Sequence, residues 1–90
     1  MTARIVPSDI AEAFREFEKS AARLREIQPE KESLVEAPST MHEFRMRMSM
    51  QLKLIEEEEE LQKYIEEIFI KHESLRKPGV AILTLYARKN

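Results

Sequence analysis

The chain has no cysteine and no tryptophan, a single glycine, and no apolar run approaching the ~20 residues that cross a bilayer. Without cysteine there is no disulfide framework and no thiol chemistry. The N-terminus carries no signal-peptide pattern, so the expectation is a soluble, cytoplasmic chain. A net charge of −2 gives no strong field towards nucleic acid or acidic lipid. Histidine is scarce too: His42 and His72 are the only two, and neither has His, Asp or Glu three or four residues away. The Glu-x-x-His spacing of di-iron bundles is therefore absent. No catalytic, nucleotide or metal signature is present, so no enzyme activity, cofactor or small-molecule ligand is expected.

What remains is a helix-forming composition, with 36% charged and 42% hydrophobic residues in 90. That length makes one small domain with a modest core, and helical hairpins of this size often gain the missing burial by association. The longest element is predicted over 41–76. Thr40-Met41-His42-Glu43 fits a capping box, in which the Thr40 hydroxyl accepts from the Glu43 amide. Pro78-Gly79 reads as its stop. A helix of about 35 residues spans about 50 Å.

Two apolar faces run along it. Met41, Phe44, Met48, Leu52 and Ile55 share one, while Met50, Leu54, Leu61, Ile65, Ile68 and Leu75 share nearly the opposite one. A helix apolar on two sides sits between two partners. Leu54, Leu61, Ile68 and Leu75 recur every seven residues, as coiled-coil d positions do. The matching a positions are Gln51, Glu58, Ile65 and His72, and three polar residues there weaken a two-stranded zipper. Ile55, Phe69, Met50 and Tyr64 widen the stripe, which favours a bundle.

An earlier helix is predicted over 9–28, capped by Asp9 and ending near Pro29. Its apolar seam is Ile10, Phe14, Phe17, Ala21 and Leu24; Arg15, Glu16, Lys19, Arg23 and Glu26 are expected in water. A polar linker over 29–39 lets the chain reverse and lays this helix on the first face of the long one, through Phe44, Met48 and Ile55. The shorter helix then leaves the end bearing Ile65, Ile68, Phe69 and Leu75 uncovered. The β-branched and aromatic segment 80–87 reads as a short strand in preference to a short helix, pairing with Arg4-Ile5-Val6 or with a second copy.

The fold class expected is thus mainly α: an antiparallel helical hairpin with one long helix, a short β element from the two termini, and assembly into an oligomeric bundle. The function expected is a non-enzymatic interaction module, an assembly, adaptor or regulatory subunit. It would self-associate, or meet a helical partner protein, through Leu54, Leu61, Ile65, Ile68, Phe69, His72 and Leu75. The alternative is a small nucleic-acid-binding regulator using Arg76, Lys77, Arg88 and Lys89 at the basic end. A third reading is an enzyme with a site shared between subunits, for which Glu58 and His72 are the candidate groups.

The run Glu56–Glu60 points in several directions around a helix and is read as a solvated face bridged by Lys63. Glu58, on the second apolar face, is the exception and a candidate specificity device. Met41, Met46, Met48 and Met50 are read first as filler between helices, and second as an adaptable binding surface.

Overall fold

The computed structural model describes residues 5–34 and 39–87. Three helices occur in order: α1, Ile10–Ser33; α2, Met41–Lys71; and, after a 3-10 turn at Glu73–Leu75, α3, Arg76–Ala87. No strand occurs among the described residues. The architecture is a mainly helical bundle, with α1 antiparallel to α2 and α3 folded back onto α1.

α1 runs through Pro29 to Ser33 instead of ending before it. Proline removes one amide and so leaves the Arg25 carbonyl without its helical donor. Arg25 and Pro29 are exposed, so water can take that donor's place. The last turn is held from outside by ion pairs to α2. Asp9 stands at the N-cap with no side-chain bond; its carbonyl accepts from the Ala13 amide at 2.9 Å.

α2 begins as its capping sequence predicts. Thr40 Oγ1 accepts from the Glu43 amide at 3.1 Å. Glu43 does not return to Thr40; its Oε2 accepts from the Ser39 hydroxyl at 2.8 Å and the Ser39 amide at 3.3 Å. The helix ends at Lys71, earlier than expected, because His72 leaves helical geometry at φ −125° and ψ 78°.

Pro78 starts a helix here and does not stop one. It sits in the first turn of α3, where an amide has no intrahelical acceptor to lose. The expected strand over 80–87 is therefore corrected to helix. Leu75, Gly79, Ile82, Leu83 and Tyr86 recur at helical spacing, and all but Gly79 are partly buried side chains packed on the core. A helix satisfies its own backbone, whereas a single strand would have needed a neighbour. Ile5 and Val6 pair with no strand, and Arg4 lies outside the described residues.

The core joins Ala13, Phe17 and Ala21 of α1 to Tyr64, Ile65, Ile68 and Phe69 of α2. Phe17 stacks against Phe69 at 5.5 Å between ring centroids, and Phe14 against Phe17 at 6.0 Å. Small residues on α1 receive large ones from α2, and Gly79 of α3 closes over both rings.

Candidate interaction surface

α1 occupies the second apolar face of α2, not the first. Leu61, Ile65, Ile68 and Phe69 are buried inside the chain's own core, and Leu54 and Leu75 are half-buried. The expected intermolecular seam is thus the seam of the hairpin itself. The reason lies further along the helix. The first face turns acidic after Ile55, with Glu59 and Glu66 next on it, and laying α1 there would bury those carboxylates. The second face stays apolar as far as Phe69. Phe44 and Met48, expected to hold the hairpin, do not touch its core.

Charges reinforce that choice. The Arg23 guanidinium donates to both Glu57 oxygens, Nε to Oε2 at 2.6 Å and Nη2 to Oε1 at 2.9 Å, and Nη1 reaches Glu30 Oε1 at 3.1 Å. These bonds, the one to Glu57 foremost, raise the Arg23 pKa above its already high ordinary value. Lys31 Nζ sits 3.0 Å from both Glu58 oxygens. Arg23, expected in water, is therefore an interhelical strap. Glu57 leaves the expected solvated run and, with Glu58, which the sequence already set apart on the second face, fastens the final turns of α1 across Pro29.

At the other end of the hairpin, α2 grips the N-terminal segment. His72 Nε2 lies 2.8 Å from the Pro7 carbonyl oxygen, and Lys71 Nζ donates to the Val6 carbonyl at 3.1 Å. His72 is thus engaged within the chain, as is Glu58, and neither faces a shared interior. Arg76 is also committed: Nε bonds Glu73 at 3.0 Å, Nη1 lies 3.5 Å from Glu66, and the guanidinium covers the Phe69 ring at 5.5 Å. The Glu73 bond first, then the charges of Glu73 and Glu66, raise its pKa. Lys77 is exposed, while Arg88 and Lys89 lie outside the described residues.

The surface left open is at the opposite end. The tip of α1 meets α2 around Met50, Leu54 and Glu57, where Glu30, Ser33 and Leu34 line a cleft of about 310 Å³. Residues before Met50 project beyond the hairpin by roughly 13 Å at the usual rise. Along this projection Met41 is 67% exposed, Phe44 43% and Met48 46%, and Leu52, just inside it, is 57% exposed. Met46 and Met50 are exposed on the other side, so the methionines are not filler between helices. Arg47 pairs with Glu43 on the projection's flank.

Among the described residues, no three His, Asp or Glu side chains converge where a metal ion could sit. No described helix is long and apolar enough to cross a membrane. A groove of about 620 Å³ between α1 and α3 is roofed by Arg25 over the Tyr86 ring at 5.2 Å, and Gln28 and Glu32 also line it.

The start of α2 is pH-sensitive in a defined direction. Hydrogen bonds from the Ser39 hydroxyl, then the Ser39 amide, hold the Glu43 pKa below its ordinary value, with Arg47 adding to the effect. A carboxylate with a lowered folded-state pKa supports the fold above its unfolded value, about 4.3, and loses that support as pH falls through the folded value. Residue-resolved NMR titration is expected to show the first turn of α2 loosening only as pH falls beneath the ordinary glutamate value of about 4.3, with Leu61 to Phe69 unaffected. A Glu43 carboxyl titrating at or above the ordinary value would contradict the cap geometry.

Comparison with known proteins finds no match to a family model, a curated protein or a solved structure.

Proposed function

We propose that this protein is a non-enzymatic interaction module that self-associates through the projecting first face of α2. Met41, Phe44, Met48, Leu52 and Ile55 form the contact. The observation that carries the reading is the run Met41, Phe44 and Met48, left uncovered on an arm that extends past its own hairpin and continued inward by exposed Leu52 and half-buried Ile55. Scattered apolar residues on a surface are ordinary, whereas a contiguous helical stripe on a projection is the form of a helix–helix contact. The hairpin and α3 then act as the rigid base that presents it.

A second copy is the occupant that fits. The stripe's two ends carry opposite charge, with Arg45 beside its start and Glu56 and Glu59 at its finish, so a reversed copy is complementary. The spacing of three, four, four and three between the stripe residues approximates an eleven-residue repeat, which lets two helices pair with a right-handed supercoil.

Absolute mass in solution across a wide concentration range tests this. The expected result is a rise from the 10.6 kDa of one chain towards twice that value. Phe44→Glu with Met48→Glu is expected to hold the mass at one chain while leaving the helical circular dichroism unchanged and making the thermal midpoint independent of concentration. A wild-type chain that remains single at every concentration overturns the proposal. So does a chain that stays single in solution yet sediments with anionic phospholipid vesicles, since the stripe would then be serving a bilayer surface.

A further inference from the structure

We infer that the two copies pair antiparallel, in a register set by Arg45 against Glu56 and Glu59 of the second copy. This rests on the self-association proposed above and adds its geometry.

The inference starts from groups the hairpin does not use. Of the acidic run, Glu57 and Glu58 are turned towards α1 and bonded to Arg23 and Lys31. Glu56 and Glu59 are exposed and make no ion pair with any described residue. Arg45 is exposed and equally uncommitted, although Arg47, two residues on, is paired with Glu43. No acidic residue stands three or four positions from Arg45, so its own helix offers it no neighbour.

At helical periodicity, Arg45 and Glu56 are eleven residues apart and therefore lie on the same flank of the apolar stripe. Glu59 lies on the line of the stripe itself, just beyond Ile55. A twofold axis perpendicular to two antiparallel helices brings like flanks together, so one copy's Arg45 side meets the other's Arg45 side with the chain direction reversed. Setting Met48 opposite Leu52 of the second copy puts Phe44 against its Ile55. Arg45 then arrives within about one residue of its Glu56, and the twofold repeats the contact. In a parallel pair the twofold axis runs along the helices and sets each copy's Arg45 flank against the other copy's opposite flank, so Arg45 and Glu56 no longer meet across the contact. The uncommitted charges thus select orientation, and the methionine and leucine stripe supplies the adhesion.

Charge exchange tests the orientation. Arg45→Glu is expected to raise the dimer dissociation constant on the order of tenfold, since two exposed pairs are lost and like charges replace them. Glu56→Arg with Glu59→Arg is expected to do the same. Combining all three substitutions in one chain is expected to return the constant to within about threefold of wild type, and an equimolar mixture of the two separate variants to form mixed dimers in preference to either homodimer. All three positions sit on the exposed side of α2, so circular dichroism should not change. If the wild type dimerises but Arg45→Glu leaves the constant unchanged, the antiparallel register is wrong while self-association stands. If the wild type never dimerises, both fall.

Discussion

Phe17→Ala is expected to lower the stability of the fold by about 3–5 kcal/mol, the usual cost of removing a fully buried phenylalanine. Phe17 is 1% exposed, its ring stacks on Phe69, and it lies beneath the point where α3 crosses. A domain of this size holds about 5–10 kcal/mol in total, so the variant should lose roughly a third or more of it. Denaturant melts monitored by circular dichroism measure this. Phe44→Ala makes the same chemical change on the other face and is expected to cost less than about 1 kcal/mol, because Phe44 is 43% exposed on the projecting arm. Reversal of the two costs would mean that α1 lies on the first face of α2 after all.

Gly79→Leu is expected to be nearly as damaging. A β-carbon at Gly79 would stand 2.5 Å from Phe69 Cε1 and Cζ and 3.3 Å from Phe17 Cζ. Phe69 is 3% exposed in a packed core, so its ring has little room to retreat. Gly79→Ala sets two effects against each other. It gains about 1 kcal/mol of helix propensity and incurs about 1–3 kcal/mol of overpacking. The expected balance is a net loss of about 1 kcal/mol for alanine and about 3 for leucine. Adding Phe69→Leu should recover part of the Gly79→Ala loss, giving a favourable coupling in a double-mutant cycle. A Gly79→Ala variant more stable than wild type would show that α3 does not press on this ring.

Some features are legible because they are local. The capping site at Thr40, the amphipathic period of α1 and the two apolar faces of α2 all arise from residues within a turn or two of one another. The segment after Pro78 misleads for an equally local reason. Val80, Ile82, Leu83, Leu85 and Tyr86 have strand-like side chains, and these mask the 75–79–82–83–86 spacing which marks a helix. Proline as a stop signal misleads twice, at Pro29, where exposed carbonyls tolerate it, and at Pro78, where a first turn welcomes it.

The candidate surface is present in the sequence with its assignment reversed. Both faces of α2 look usable from residues 41 to 55, and the deciding signal lies in the residues beyond Ile55. Glu59 and Glu66 stand on one face; Leu61, Ile65 and Ile68 stand on the other. The interhelical straps Arg23–Glu57 and Lys31–Glu58 link residues 34 and 27 positions apart, which no short-range pattern discloses.

The amino-acid order alone determined a cysteine-free, helix-forming chain whose long helix is adhesive on two sides, because backbone propensity and apolar period act over a few residues. Which side closes the hairpin was decided only by the tertiary structure, along with which end of α2 stands clear and where α3 lies. Those outcomes depend on fitting alanines against Ile68 and Phe69, on a glycine under two aromatic rings, and on keeping Glu59 and Glu66 in water. Each is a property of surfaces brought together from distant parts of the chain.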